Sequence, residues 1–478
     1  MQTTGFGLAA MALAAESGLL QSLVAGLETE RAARMLALAS FLCQSPRPNF
    51  AEFDEFVARN FAFLPLGGRF GRDDLARFMN YMAGSNREGF MNAWLPNCLD
   101  DDMLLLCDVR SYFCNCGQYV TSALPNNYGA GAPPKRNLAI FVGGSNGMPM
   151  YMWPLWGSLD DPGMLHEAIY RARGAGLQVN AKNAVILTDA SFTDGRLRLM
   201  PLKGMQFICG LPIGRIPEVD AECLKFSKSL KDEDEKSAWA GGGTCYLSTM
   251  VRMKLDGVDG FLLVYKDLMQ NDGCSMALVN RVGSAERLLK DTKRAPKAGF
   301  DEWAASFEPF FHVRKALNAR GFEFESDREA YENAIHMGGA CALFTTIKDM
   351  DEPALLWYYH FKCKLEQSFY MVRNGLSQVD LHIPQGMPGP FDNDLMLLFA
   401  ALCLRKSFNR HLQSRKKVNP GPFSEVAQEL SRLSYTWDGG QWRPKEKPGA
   451  RQQEILEQFG INDRLLAILN RFLGLAGL

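Results

Sequence analysis

The chain has 478 residues, 47% of them hydrophobic, which is enough apolar material for two to four globular units of roughly 100–200 residues each. Its formal net charge of −1 lacks the overall basic excess of a protein that binds phosphates along its whole surface, although the segments 287–297 and 405–417 are locally basic. Twelve cysteines without a signal-peptide pattern, and no apolar run of about 18–20 residues, predict a cytoplasmic protein with no membrane partner.

The first hundred residues have the pattern of helices. In "ERAARMLALASFL" and "DDLARFMNYMAG" the apolar residues recur every three or four positions, as they do on one face of an α-helix. We therefore predict a helical N-terminal region over residues 1–100.

Residues 101–225 alternate between strand and helix patterns. The segment "DDMLLLCD" predicts a strand that ends at Asp108, and "NLAIFV" and "MPMYMWPLW" predict two more. A helix is expected to begin at Asp161, which is followed by a proline, and to end near Gly174. The next strand, "NAVILTD", ends at Asp189, and "MQFICGLP" predicts another.

The remaining chain divides into three segments. Residues 226–345 carry the strand-like runs "CYLSTMVRM" and "GFLLVY" and are interpreted as a β-rich insertion. Residues 346–420 include a long helix predicted over 352–374. Residues 421–478 form a C-terminal helical region, with a terminal amphipathic helix or pair of helices from residue 450.

The two aspartates at strand ends indicate a metal site. A carboxylate that follows a buried strand lies at the carboxyl edge of the sheet, where two neighbouring strands can present oxygen ligands to a divalent cation. Asp108 and Asp189 would supply two ligands, and a third is needed. The stretch "YYHFKCKLEQSFYMVRNGL" offers Glu366.

The charged residues of that stretch share one helix face. At 100° per residue, Tyr359, Lys362, Glu366 and Arg373 lie at about 0°, 300°, 340° and 320°. Such a face could combine a metal ligand with two cations that hold a phosphate. The alternative is a solvated face in which a Lys362–Glu366 pair stabilises the helix by only about 0.2–0.5 kcal/mol.

The spacing of these residues resembles the signature of bacterial insertion-sequence DDE transposases of the cut-and-paste type. In that family Tyr is followed after two residues by Arg, after three more by Glu and after six more by Lys. Here the positions are Tyr359, Lys362, Glu366 and Arg373, so that the two cations are exchanged. Asp189 resembles the second acidic position, although Ala190 and Ser191 differ from the usual Asp-Arg-Gly-Phe sequence.

The resemblance, which also includes "NGMP" and "WGSLDD", extends from about residue 6 to about residue 460. It implies an α/β fold with a ribonuclease-H-like mixed sheet that is flanked by helices and interrupted by the β-rich insertion. The first part of this core would lie in 101–225 and the last part in 346–420. A prokaryotic, nucleoid-associated location would follow.

The resemblance also implies phosphoryl transfer on DNA. Two Mg²⁺ or Mn²⁺ ions would be held by Asp108, Asp189 and Glu366, with water and then a DNA 3′-hydroxyl as nucleophiles. The partners would be double-stranded DNA, both transposon ends and target DNA, and a second copy of the chain in a homodimer.

The expected DNA contacts come from the same resemblance. Tyr359, Lys362 and Arg373 would bind backbone phosphates near the scissile bond. Trp239, in the insertion, would stack on a flipped base, or it could simply be a partly buried anchor.

The sequence raises four alternatives. Zinc is disfavoured because Cys98, Cys107, Cys114 and Cys116 lack paired C-x₂₋₄-C spacing, and ATP use is disfavoured because "GGGTCYLS" lacks the Gly-Lys-Ser/Thr of a phosphate-binding loop. A transposase-derived DNA-binding protein without catalysis, and a nuclease of the same fold, both stay open. Intact acidic ligands favour an enzyme.

Overall fold

The computed structural model describes the chain in two compact units. The described residues are 2–44, 50–61, 64, 78, 84–98, 105–113, 135–143, 147–155, 161–179, 184–188, 205–230, 237–241, 244–267, 271–292, 294, 296, 299–316, 321–361, 390–414, 423–438 and 442–459. The first unit comprises Met1–Ile186, Leu202–Met205 and Phe361–Leu478. The second unit comprises Leu187–Pro201 and Gln206–His360.

The elements are numbered here in chain order. The helices are α1 (Gly5–Glu16), α2 (Leu19–Gln44), α3 (Phe53–Asn60), α4 (Gly84–Cys98), α5 (Asp161–Gly174), α6 (Pro217–Ser229), α7 (Asn271–Asp291), α8 (Phe300–Ala305), α9 (Arg328–Met337), α10 (352–361), α11 (Pro390–Ser414), α12 (Phe423–Arg432) and α13 (Ala450–Phe459). The strands are β1 (Gln2–Thr4), β2 (Leu105–Phe113), β3 (Lys135–Gly143), β4 (Pro149–Leu155), β5 (Ala184–Thr188), β6 (Gln206–Leu211), β7 (Ser237–Gly241), β8 (Thr244–Leu255), β9 (Val258–Asp267), β10 (Phe311–Lys315), β11 (Phe322–Ser326), β12 (Ala340–Thr345), β13 (Ser434–Trp437) and β14 (Trp442–Pro444).

A buried polar network fixes the start of α1 in the first unit. Thr4 is the N-cap, and its hydroxyl oxygen accepts a hydrogen bond from the backbone N–H of Gly7 at 3.2 Å and donates one to the side chain of Asn60. Thr3 donates to the backbone oxygen of Asn60 at 2.6 Å. These bonds satisfy polar groups that burial would otherwise leave unpaired, so that an almost wholly apolar helix can begin inside the unit.

The apolar helices α1 and α2 pack inside the first unit. No single helix among the described residues is long and apolar enough to cross a membrane, whereas α1 and α2, bent by 95°, reach that length and composition only as a pair. Phe6 of α1 stacks on Phe408 of α11 with ring centroids 5.6 Å apart. Glu28 has a φ of 65°, which interrupts the helical backbone of α2.

The sheet of the first unit has the strand order β4-β3-β2-β5. Strand β3 is antiparallel to both β2 and β4, whereas β2 and β5 run parallel. All five residues of β5 are buried, as is typical of a parallel strand with both faces covered. Helices α4, α5 and α11 pack against β4, and the indole N–H of Trp94 donates to the backbone oxygen of Pro149 at 3.0 Å.

This arrangement is the α/β, ribonuclease-H-like fold that the family resemblance implied, with a mixed sheet flanked by helices. The strands expected from "NLAIFV", "MPMYMWPLW", "NAVILT" and "MQFICGLP" are confirmed, and so is the helix Asp161–Gly174. One boundary was wrong. Strand β2 does not end at Asp108 but continues to Phe113, because β3 pairs with it over its whole length, from Leu105 to Phe113.

The second unit begins with the last two residues of β5 and has the strand order β5-β6-β12-β9-β8-β7. Strand β12 is antiparallel to β6 and β9, and β7, β8 and β9 form an antiparallel meander. A separate hairpin, β10-β11, packs around a small core of Leu289, Phe307 and Phe311. The segment 226–345 thus contains strands β7–β12 together with helices α7–α9, which the sequence patterns had not indicated.

Candidate functional site

Asp108 lies where the parallel pairing of two central strands stops. The paired residues of β2 and β5 run from Leu105 opposite Ala184 to Cys107 opposite Ile186, so Asp108 is the next residue along β2. On its other side, Asp108 faces Ile140 of β3. The side chain of Asp108 lies outside the described part of the structure.

Strand β5 ends directly before the second predicted carboxylate. Its last residue, Thr188, is buried, and the hydroxyl oxygen of Thr188 has no hydrogen-bond partner among the described residues. Asp189 follows it in the sequence but lies outside the described residues. Strands β2 and β5 run parallel, so Asp108 comes directly after their last paired residues, and Asp189 follows the carboxyl end of β5 in the sequence.

Tyr359 of α10 is half-buried and approaches strand β6. A Cβ atom built on Gly210 would come within 2.2 Å of the Tyr359 hydroxyl oxygen, a distance that only glycine permits. Tyr359 therefore directs its ring at the sheet of the second unit. Lys362, Glu366 and Arg373, the other predicted residues of this helix face, lie outside the described residues.

An aromatic cluster that the sequence did not predict surrounds the next residue, His360. The ring centroids of Tyr246 and Tyr265 lie 5.4 and 6.1 Å from that of His360, and the buried Nε2 of His360 has no hydrogen-bond partner in the described part of the chain. Burial lowers the pKa of His360 and outweighs the carboxylate of Asp267, which raises it. The neutral imidazole is therefore the favoured form in this cluster.

Trp239 lies one strand away from this cluster. It is the third residue of β7 and pairs with Tyr246 of β8 in the antiparallel register. Its side chain lies outside the described part of the structure, so base stacking by Trp239 stays a prediction.

Of the four cysteines weighed for zinc, the structure describes Cys98 and Cys107, and both are buried. Burial raises the pKa of the Cys98 thiol to about 12, which keeps it protonated and a poor metal ligand or nucleophile. Cys107 is buried in β2, while Cys114 and Cys116 lie outside the described residues. Within the described ranges, no three His, Cys, Asp or Glu side chains come together as a metal site, but the side chains of all three predicted carboxylates lie outside the described part of the structure.

Comparisons with known proteins found similarity to solved structures but not to family models or curated sequences. No protein-family model matches the chain, and no curated protein matches it. Among solved structures, the chain is similar to the piggyBac transposase in the cryo-EM structure of its synaptic complex with hairpin DNA. The match covers 93% of this chain and 73% of that chain, with 10% sequence identity and a TM-score of 0.32.

Proposed function

We propose that the chain is a DNA transposase that cleaves and joins DNA strands by metal-dependent phosphoryl transfer. The observation that carries the proposal is the register of the parallel pair β2 and β5, in which Asp108 follows the last pair and Asp189 follows the last residue of β5. In open α/β sheets, chemistry is concentrated at the carboxyl ends of neighbouring parallel strands. One carboxylate directly after the last β2–β5 pair and one directly after β5 support such a site.

The donor set suits a hard divalent cation. Asp108, Asp189 and Glu366 offer carboxylate oxygens, the ligands that Mg²⁺ and Mn²⁺ prefer. Two such ions would activate the attacking oxygen and stabilise the leaving oxygen of an in-line displacement. The role of the three side chains is to hold this charge beside the scissile phosphate, with water as the first nucleophile and a DNA 3′-hydroxyl as the second.

The orientation of Tyr359 supports Glu366 as the third metal ligand. Glu366 lies seven residues further on, which is about two turns, so a continuous helix would place both on one face. Because the hydroxyl of the half-buried Tyr359 lies against strand β6, this face suits a site better than a solvated surface does. Lys362 and Arg373 would then bind DNA phosphates, Lys as a point charge and Arg with its planar fork.

The partners follow from this chemistry. Double-stranded DNA, as transposon ends and as target, would be the substrate, and two copies of the chain would act as a homodimer on the two ends. A prokaryotic cytoplasm, in contact with the nucleoid, is the compartment we propose.

The test is cleavage of DNA that carries the sequences flanking the coding region, where inverted repeats within a short duplication would mark a mobile element. We expect Mg²⁺- or Mn²⁺-dependent cleavage that Asp108→Asn, Asp189→Asn and Glu366→Gln each abolish, while DNA binding survives. Asp259→Asn is the matched control, because this aspartate is 69% exposed on β9 of the second unit.

Other results would select another function. Unchanged cleavage in all three variants would refute the site. Binding without cleavage by the unaltered chain in either metal would indicate a DNA-binding protein derived from a transposase. Cleavage without joining to target DNA would indicate a nuclease of the same fold.

A further inference from the structure

A cleft of about 800 Å³ lies in the first unit, over strand β4 and between helices α4 and α5. Its floor includes Tyr151 and Trp153, which lie two positions apart and therefore on the same face of the strand. Their rings are nearly parallel, with centroids 6.0 Å apart and planes inclined by 12°. The volume falls within the roughly 300–1,000 Å³ typical of small-ligand pockets.

Arginines and aromatic rings lie together in this cleft. The guanidinium carbon of Arg87, from α4, is 3.7 Å from the centroid of the Trp153 ring, and that of Arg171, from α5, is 5.3 Å from it. Tyr170 also lines the cleft and is 71% exposed. Planar guanidinium groups and aromatic faces are the surfaces on which nucleobases stack.

The α5 side of the cleft is suited to an anion. Arg171 is 43% exposed, and its Nε donates to Glu167 at 2.6 Å. The Nε of Arg173 donates to the backbone oxygen of Val179 at 2.7 Å. Holding Nε fixes each guanidinium, and a fixed guanidinium fork has the donor geometry that phosphate groups match. Cations in this last turn also stabilise the helix dipole, which is the ordinary structural role.

The α4 side carries groups of a different kind. Glu88 and Asn92, one turn apart on the helix, both line the cleft. The carboxylate of Glu88 repels a bare anion, but it can accept hydrogen bonds from the amino groups of a base. The side-chain amide of Asn92 can both donate a hydrogen bond to a base edge and accept one from it. The cleft therefore combines guanidinium groups from both helices with aromatic rings, and its α4 side adds groups that can pair with a base edge.

We propose that this cleft binds a single nucleotide, with its base stacked on the aromatic and guanidinium surfaces and its phosphate on Arg171 and Arg173. The same chemistry is offered by a free nucleotide and by an unpaired nucleotide within a DNA strand. The second source rests on the proposed function. No catalytic role is assigned to the cleft, since the predicted carboxylates are not among its described lining residues.

The test is binding to the full-length chain in the absence of divalent metal, with dAMP, single-stranded dA10 and inorganic phosphate as three separate ligands. We expect Tyr170→Ala and Arg171→Ala each to weaken nucleotide binding about tenfold or more, the loss expected for one stacking or charged contact. Both side chains are well exposed, so the fold should survive. The controls are Leu288→Ala, an exposed apolar residue, and Arg328→Ala, which pairs with Glu332 one turn away just as Arg171 pairs with Glu167.

Tight binding of dAMP that both variants lose would identify a free-nucleotide site, and binding of dA10 alone with the same losses would identify a strand-binding site. The proposal is wrong if inorganic phosphate binds as tightly as dAMP or dA10, if neither nucleotide ligand binds, or if the two variants behave like the controls. Because no metal is present, the result is independent of cleavage. If the chain cleaves DNA but fails this test, the nucleotide-binding proposal is wrong and the proposed function stands. If it binds nucleotide but does not cleave DNA, the proposed function is wrong and the nucleotide-binding proposal stands.

Discussion

Gly26 of α2 lies against the backbone of α4, and replacing it with alanine tests the packing that positions the α4 wall of the cleft. A Cβ atom at this position would lie 2.5 Å from the backbone oxygen of Asn86 and 2.9 Å from the backbone nitrogen of Phe90. Both atoms belong to the backbone of α4, so a side chain cannot simply rotate away. One of the two helices would have to move by about 0.9 Å to reach the 3.4 Å of ordinary contact.

The expected change in the free energy of unfolding is the sum of two destabilising contributions and one stabilising contribution. Overpacking costs about 1–3 kcal/mol. A displacement would also strain the hydrogen bond that the Asn86 side-chain amide donates to the oxygen of Gly26 at 2.6 Å, which is worth about 0.5–1.5 kcal/mol. Alanine stabilises the interior of a helix by about 1 kcal/mol relative to glycine. We therefore expect Gly26→Ala to lower the free energy of unfolding by about 1–3 kcal/mol.

The matched control is Gly283→Ala in α7, where a Cβ atom would meet nothing within 4 Å. Only the helix propensity acts there, so this variant should gain up to about 1 kcal/mol. Thermal unfolding by calorimetry would measure both changes, at about 2–4 °C per kcal/mol, and would separate the two units if they unfold separately. An unchanged or raised melting temperature for Gly26→Ala would refute the close packing of α2 on α4.

Two further predictions concern the helix that begins at residue 352. If its charged face binds phosphates, Lys362→Ala and Arg373→Ala should each flatten the salt dependence of DNA affinity by about one unit of slope, whereas Arg328→Ala, 88% exposed elsewhere, should not; equal slopes in all three would favour a solvated face. Burial lowers the pKa of His360 against the opposing effect of Asp267, so the unfolded chain binds more protons and the free energy of unfolding should fall as the pH drops below about 6.5. His360→Phe should flatten this fall between pH 7 and pH 5 in denaturant titrations, and an unaltered pH profile would show that another group is responsible.

The sequence predicted the elements whose signal is local. Strand β5 is a continuous apolar run bounded by polar residues, and α5 has a start signal at Asp161 and glycines at its end, so both were located closely. The position of Asp189 after β5 could be predicted for the same reason. The length of β2 could not, because the residues after Asp108 become strand through pairing with β3, a partner some 30 residues away.

In the candidate sites, too, contacts between segments that are distant in the sequence could not be predicted. A helix at Tyr359 could be predicted from the sequence pattern around it, but the contact of Tyr359 with Gly210 depends on a strand about 150 residues earlier. The aromatic and arginine residues of the cleft over β4 stand in the short stretches "YMW" and "YRAR" of the sequence. Neither stretch is distinctive alone, and only the packing of α4 and α5 on β4 brings their rings and guanidinium groups together.

The pairing of β1 with β13 sets a minimum time for completing the first unit during synthesis. Thr4 pairs with Ser434, and the N–H of Gly5 donates to the oxygen of Leu433 at 2.8 Å, although these partners are made about 430 residues apart. At about 5–20 residues per second, the ribosome needs roughly 20–90 s to deliver the second partner. Throughout this interval α1 lacks the surfaces of α11 and α12 that bury it in the finished unit. For tens of seconds, therefore, only the early helices such as α2 and α3 are present to cover this apolar helix in the nascent chain.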